Sequence, residues 1–195
     1  MKLGQTPSQT VGPYFAYGLT PEQYLYDHHS VFPPVLANDD TPGEFIRITG
    51  QVIDGAGKPI NDAMIEIAHA DAEGNFVTSL EQVAKTGFTG FGRCGTGTDA
   101  HNRYSFETIK PGACAAGEAP YINVIVTMRG MLVHAFTRIY FSDEAAANAN
   151  DAVLNSVPAE RRHTLIAQRQ ELNGRVVYHF NIHMQGDNET VFFDL

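Results

Sequence analysis

From residue 45 to the end of the chain, hydrophobic and polar residues alternate with a period of two, and turn residues interrupt the alternation at short intervals. This pattern predicts β-strands, because successive side chains of a strand point to opposite faces. The predicted strands cover residues 45–53, 63–69, 104–108, 121–128, 133–141, 175–184 and 191–193. The glycine-rich stretch from residue 75 to residue 97 is predicted to be a long loop, and Asn173-Gly174 predicts a hairpin turn.

The segment from residue 142 to residue 170 has a different pattern. Three alanines follow Ser142, Asp143 and Glu144, which is typical of a helix start with an acidic first turn. A second short helix is predicted to start near residues 155–160. We therefore expect short helices near 143–168 within a mainly β domain.

The first 45 residues show no persistent period and hold six of the ten prolines. They also hold seven of the 12 phenylalanines and eight tyrosines. Each buried ring contributes about 2 kcal/mol or more, and an irregular segment cannot bury its own rings. We expect residues 1–45 to form an N-terminal arm that packs on a sandwich domain of residues 46–195 and on a partner subunit.

Charge and composition exclude several classes of protein. The chain has 13 Lys and Arg against 22 Asp and Glu, a net charge of −9 at pH 7. Neither a nucleic acid nor an anionic membrane is expected as a partner, because both attract basic proteins. The chain starts without the apolar stretch of a secretory signal, and two cysteines are too few for a disulfide scaffold. These features predict a cytoplasmic protein.

Two motifs have simpler interpretations than the chemistry they suggest. Residues 90–95 match GxGxxG, but no helix pattern follows, and a dinucleotide site needs the N-terminus of a helix there. His179 and His183 have metal-site spacing only on a helix, and their segment alternates like a strand. On a strand their Cα atoms lie roughly 13 Å apart, so we interpret both as histidines that face solvent.

Arg129 follows the predicted strand 121–128 and projects to the same side as Tyr121 and Asn123. A positive charge at the end of an otherwise apolar strand is a candidate group for binding an anion. The alternative is an arginine in a salt bridge or in solvent.

Five segments carry a stronger signal when they are taken together. They are residues 6–14 (TPSQTVGPY), 90–93 (GFGR), 108–112 (TIKPG), 137–141 (TRIYF) and 189–194 (ETVFFD). In this order they resemble the α subunits of the protocatechuate 3,4-dioxygenases, which belong to the intradiol ring-cleavage dioxygenases. The resemblance runs from about residue 5 to the last residue.

The resemblance implies a mainly β, mixed β-sandwich of the intradiol dioxygenase type. It implies a hetero-oligomer of α and β subunits in which the β subunit holds one Fe(III) through two tyrosinates, two histidines and a solvent ligand. The implied reaction is cleavage of 3,4-dihydroxybenzoate (protocatechuate) by O2 to 3-carboxy-cis,cis-muconate, a step of the β-ketoadipate route.

This chain departs from the iron-binding pattern of the family. Iron-bearing relatives have His-x-His on the strand after the Pro-Gly loop, where Tyr121 and Asn123 stand here. A neutral amide is a poor ligand for ferric iron. Residues 105–120 contain no tyrosine, and the other tyrosinate position falls near Leu80. We therefore expect that this chain binds no catalytic metal.

The resemblance implies instead that the chain forms part of the wall of the partner's active site. The residues that match this role are Thr10, Gly12, Pro13, Tyr14 and Arg129. With the resemblance, Arg129 is expected to face the ring carboxylate of the substrate. Two alternatives stay open: a small-ligand binding β-sandwich without catalysis, and a self-sufficient intradiol dioxygenase.

Overall fold

A computed structural model describes residues 4–12 and 15–194 of the chain. The first 45 residues contain helix α1 (Phe15–Leu19) and a 3-10 helix (Pro21–Tyr24). The strands that follow are β1 (Phe45–Ile53), β2 (Ala63–Ala68), β3 (Phe91–Gly95), β4 (Arg103–Ile109), β5 (Tyr121–Met128), β6 (Ala135–Phe141), β7 (Ile166–Leu172), β8 (Arg175–His179) and β9 (Ile182–His183). The helices between them are α2 (Leu80–Thr86), α3 (Ala145–Asn148), α4 (Ala152–Ser156) and a second 3-10 helix (Ala159–Leu165).

The strands form one mixed sheet in the order β3-β2-β5-β6-β7-β8-β1-β4, and β9 pairs with β1. Strand β7 joins the two halves, because its start runs parallel to β6 and its remainder runs antiparallel to β8. The two end strands also meet, since the Ser105 N–H on β4 donates to Cys94 Sγ on β3 at 3.4 Å. The sheet is therefore a nearly closed sandwich, and the predicted mainly β fold with short helices near 143–168 is confirmed.

The alternation predicted from the sequence places one side of each long strand in the core. On β1, buried Ile46, Ile48 and Val52 alternate with partly exposed residues, and on β5 the buried face is Ile122, Val124 and Val126. These side chains pack between the two halves of the sheet together with residues of β2, β4, β6 and β8. Each fully buried side chain of this kind contributes about 1.5–3 kcal/mol to the free energy of folding.

The prediction of a long loop over residues 75–97 is wrong. Helix α2 lies in this stretch, and Ser79 and Gln82 form a capping box at its start. Strand β3 follows and pairs with β2. Glycine occurs in this strand because the N-terminal segment crosses it closely: a Cβ on Gly92 would lie 2.5 Å from Leu36 Cδ1 and 2.8 Å from the Pro33 carbonyl oxygen.

The end of the chain also differs from the prediction. Residues 191–193 form no strand, although the Phe193 N–H donates to the Phe136 carbonyl at 2.8 Å. The predicted strand 175–184 is divided into β8 and β9. The hairpin turn at Asn173-Gly174 is confirmed, since both residues have the positive φ that such turns require (52° and 76°).

The described part of the N-terminal segment packs on the edge strand β3. The side-chain amide of Gln23 accepts a hydrogen bond from Gly95 N–H at 2.7 Å and donates one to the Gly95 carbonyl at 3.2 Å. The rings of Tyr17 and Tyr24 meet edge to face with centroids 4.5 Å apart. These contacts hold residues 17–24 against β3.

Candidate active-site wall

Arg129 follows the last residue of β5 and carries an ion pair. Ala63 pairs with Met128 in the antiparallel register of β2 and β5, so Asp62 stands opposite Arg129. Arg129 Nε lies 2.6 Å from Asp62 Oδ2. The Arg129 side chain is 59% exposed and that of Asp62 is 19% exposed. The arginine is therefore both held by a carboxylate and accessible from outside the chain.

Thr10 lies next to Arg129. The N–H of Gly130 donates to Thr10 Oγ1 at 2.7 Å. Gly130 has φ = 94°, which permits the turn directly after Arg129. Two of the residues proposed from the resemblance, separated by more than one hundred positions in the sequence, are thus brought together.

The other three proposed wall residues belong to the same part of the N-terminal segment. Gly12 is exposed, and its carbonyl accepts a hydrogen bond from Phe15 N–H at 3.2 Å where α1 begins. A Cβ at Gly12 would meet no atom of the described chain within 4 Å, so packing within this chain does not require glycine there. Pro13 and Tyr14 lie outside the described residues.

The opposite end of β5 holds Tyr121 and Asn123, where the resemblance leads us to expect the histidine ligands of iron-bearing relatives. Tyr121 is 9% exposed, and the Arg138 guanidinium lies 4.0 Å from the centroid of its ring. Arg138 is also the cross-strand neighbour of Asn123 on β6. A guanidinium stacked on an aromatic ring is a favourable cation–π contact, and it places a positive charge beside both positions.

The donor set at this end does not fit ferric iron. Burial raises the pKa of the Tyr121 phenol, Cys114 adds to the effect and Arg138 opposes it. Asn123 offers only a neutral amide, a poor ligand for ferric iron. Leu80, near the second tyrosinate position, is an 86% exposed residue of α2. Within residues 4–12 and 15–194 there is no group of three or more His, Cys, Asp or Glu side chains that could hold a metal ion.

Three histidines, at positions 69, 179 and 183, are candidates for metal binding or acid–base chemistry by residue type alone. His69 is fully buried at the end of β2, where Nδ1 donates to the Ala70 carbonyl at 2.8 Å and Nε2 accepts from the Thr108 hydroxyl at 2.9 Å. Burial lowers its pKa to about 4, so it is neutral and structural at pH 7. His179 is exposed and His183 is half-buried, and they stand on different strands.

The Gly90-x-Gly92 motif has no phosphate-binding geometry. Its second glycine lies within β3, and no described helix begins after the motif before residue 145. A dinucleotide site needs the N-terminus of a helix directly after the glycines, and strand β3 occupies that position instead. The described helices also include none that is long and apolar enough to cross a membrane.

The role of Asp62 as the ion-pair partner of Arg129 is not evident from the sequence. Nothing in the local pattern distinguishes it from other turn residues that precede a strand. Its relation to Arg129 follows from the pairing of β2 with β5, which joins positions more than sixty residues apart. Only a correct strand register could have found it.

A comparison with protein families decides the classification. Residues 12–186 match a family model described as "Dioxygenase". The protocatechuate 3,4-dioxygenase alpha chain of Burkholderia cepacia is 61% identical over 194 residues, which cover 99% of this chain and 98% of that one. The chain belongs to the intradiol dioxygenase family.

The chain is also similar to a beta chain and to a solved dioxygenase domain. The protocatechuate 3,4-dioxygenase beta chain of Burkholderia cepacia is 30% identical over 175 residues, covering 83% of this chain and 73% of that one. The solved dioxygenase domain of a dioxygenase carbohydrate-binding protein fusion from Streptomyces sp. SirexAA-E has a TM-score of 0.62 at 23% identity, with 92% of this chain and 97% of that chain covered. This structural likeness supports the fold.

Proposed function

We propose that this chain is the α subunit of a protocatechuate 3,4-dioxygenase (EC 1.13.11.3). The observation that carries the proposal is its 61% identity to an alpha chain over nearly the full length of both proteins, twice the 30% identity to a beta chain. The enzyme cleaves 3,4-dihydroxybenzoate with O2 between the two hydroxyl-bearing carbons and yields 3-carboxy-cis,cis-muconate. The Fe(III) for this reaction is held by the β subunit, and none is held by this chain.

The role of this chain is to complete the wall of the pocket on its partner. Arg129 is an exposed cation on a chain of net charge −9. We propose that it faces the ring carboxylate of the substrate. An arginine can bind such a group with two parallel hydrogen bonds. We propose that the adjoining part of the wall comes from Thr10, Gly12, Pro13 and Tyr14. The contact between Thr10 and Gly130 holds Thr10 beside the arginine.

Exposed apolar side chains of the first 45 residues support an interface with the β subunit. Leu25 is 95% exposed, Val31 78% and Val35 52%. Apolar side chains that are grouped in one irregular segment are typical of a protein–protein contact. We propose that residues 1–45 form an arm across this interface and that residues 46–195 form the sandwich domain. The free thiols of Cys94 and Cys114 suit the cytoplasm, where we place the enzyme.

Expression of the chain alone and together with its β subunit tests this function. We expect ring cleavage of protocatechuate only in the co-expressed sample, because the donor groups of this chain do not fit iron. Activity of the isolated chain would favour a self-sufficient dioxygenase. Tight binding of protocatechuate by the isolated chain, with no stable complex with β, would favour the ligand-binding sandwich.

The Arg129→Gln variant of the assembled enzyme tests the wall itself. Glutamine keeps a hydrogen-bond donor beside Asp62 but removes the positive charge. We expect KM for protocatechuate to rise about tenfold with unchanged iron content, because a charge-assisted contact to the substrate is lost. A KM equal to that of the unmodified enzyme would refute the role of Arg129.

A further inference from the structure

Asp62 stands in the bend before β2 and faces the end of β5. Its Oδ2 is buried and accepts no well-aligned hydrogen bond from any described residue, although Arg129 Nε lies 2.6 Å away. The contact is thus an ion pair in which Nε is the closest atom. The register of β2 and β5 determines this ion pair. Ala63 pairs with Met128, so Asp62, which precedes Ala63, lies opposite Arg129, which follows Met128.

One residue of the N-terminal segment, Tyr24, lies near the Asp62 carboxylate. The pKa of the Tyr24 phenol is raised by burial, with smaller contributions from Tyr17, Asp62 and Cys94. A Cβ on Gly97 would lie 2.7 Å from the Tyr24 hydroxyl and 2.7 Å from the Asn61 carbonyl oxygen, so the hydroxyl and the bend that carries Asp62 both approach Gly97 closely. The backbone that carries the carboxylate is therefore held by strand pairing, and the Tyr24 phenol lies close enough to interact with its charge.

The guanidinium group of Arg129 has two edges that can bind an oxyanion. The ion pair occupies the Nε side, and the two Nη groups form no hydrogen bond to any described residue. These Nη groups form a planar fork that matches a carboxylate. An arginine held at Nε loses less conformational freedom when its fork binds a ligand, which favours binding.

We propose that Asp62 is a positioning residue that orients Arg129 for the ring carboxylate of the substrate. This inference rests on the proposed function. Asp62 acts on the substrate through the arginine and does not touch it. Its own negative charge weakens the attraction between Arg129 and an anion, so the proposal requires that orientation outweigh this charge effect.

A double-mutant cycle in the assembled αβ enzyme separates orientation from charge. The variants are Asp62→Asn, Arg129→Gln and the double variant, with Glu107→Gln as the control. Glu107 forms an ion pair with Arg47 on strands β4 and β1, outside the wall. KM, kcat, iron content and the inhibition constant of 4-hydroxybenzoate, a ring carboxylate with a single hydroxyl, are measured for each.

We expect Asp62→Asn to raise KM and the inhibition constant about three- to tenfold, to leave kcat within about twofold, and to have no further effect in the Arg129→Gln background. Glu107→Gln should change neither constant. A KM that is unchanged or lower in Asp62→Asn would overturn the proposal, as would an equal effect in both backgrounds, since Asp62 would then act without Arg129.

Two results distinguish this inference from the proposed function. If Arg129→Gln leaves KM unchanged, the role of Arg129 itself fails; if Arg129→Gln raises KM and Asp62→Asn does not, only the positioning role fails. Asp62→Glu keeps the fold testable should the asparagine variant not assemble, because it retains the charge with one more methylene group. We expect its KM to lie between those of the unmodified enzyme and Asp62→Asn, and a KM equal to the unmodified value would contradict positioning.

Discussion

The two ends of strand β5 differ: a buried tyrosine begins the strand, and an exposed arginine follows its last residue. At its start, Tyr121 is buried, and the Arg138 guanidinium lies over its ring, so the two side chains form an internal stack. At its end, Arg129 stays 59% exposed and is held by Asp62. The same strand therefore carries a buried ring beneath a guanidinium at one end and an exposed, ion-paired cation at the other.

The internal stack at the start of β5 has a buried polar support. Asp151 accepts hydrogen bonds from Ala119 N–H at 3.0 Å, from Leu154 N–H at 2.8 Å and from the Tyr140 hydroxyl at 3.0 Å. The first of these fixes the loop that leads into Tyr121, and the second begins α4. The wall at the other end of β5 depends on none of these bonds.

The largest effect is expected from Asp151→Ala, which removes the carboxylate that accepts all three hydrogen bonds. Buried donors without partners are costly, so the free energy of unfolding should fall by about 3 kcal/mol. Urea denaturation of the assembled enzyme measures this. Asp151→Asn keeps one side-chain oxygen and should lose less, and a loss below about 1 kcal/mol for the alanine variant would show that the loop is held by other contacts.

A smaller loss of stability is expected from low pH, because buried His69 lies near the same end of β5. His69 follows Ala68, which pairs with Asn123 of β5. Its pKa of about 4 is below the ordinary value of 6.5, so the unfolded chain binds a proton more readily than the folded chain between these values. Stability is therefore full above pH 6.5 and falls as the pH decreases towards 4. Between pH 7.5 and 5 the loss should be about 2 kcal/mol.

The free energy of unfolding by urea at several pH values measures this loss. His69→Gln lacks the titrating ring, so its stability should depend less on pH over the same range, even if it is lower throughout. An equal pH dependence in both proteins would assign the acid sensitivity to other groups.

The smallest effect is expected from restoring histidines at the replaced positions. Tyr121→His with Asn123→His returns two ligands, but the charge of Arg138 remains beside them and no tyrosinate is supplied. The iron content of the assembled enzyme should not change, and metal analysis checks this. An additional ferric ion bound per αβ pair would show that the two histidines alone recreate a site.

The sequence predicted the strands whose alternation is strongest. β1 and β5 have the predicted bounds, because each has one continuous apolar face. α2 and β3 were missed because glycines suggested a loop, although the Ser79 and Gln82 capping pattern was legible. Residues 191–193 are apolar like a strand but find only isolated backbone partners, which the pattern of a single segment cannot reveal.

The candidate site was predictable only in part. The local pattern indicated Arg129 as a candidate anion-binding group, with a salt bridge or solvent exposure as the alternative, and the structure shows both the salt bridge and the exposure of that alternative. The resemblance supplied Thr10 as a further wall residue. Their meeting through Gly130, and the pairing of Arg129 with Asp62, depend on contacts between distant parts of the chain. Such contacts follow from strand register and from the path of the first 45 residues, neither of which a periodicity determines.

The iron content of the pure assembled enzyme tests the central claim most directly. Metal analysis, with protein concentration measured by amino-acid analysis, gives the number of ferric ions per αβ pair. We expect one ferric ion per αβ pair, and we expect it to stay with the β subunit when the subunits are separated. Two ions per pair, or iron that remains with this chain after separation, would contradict it.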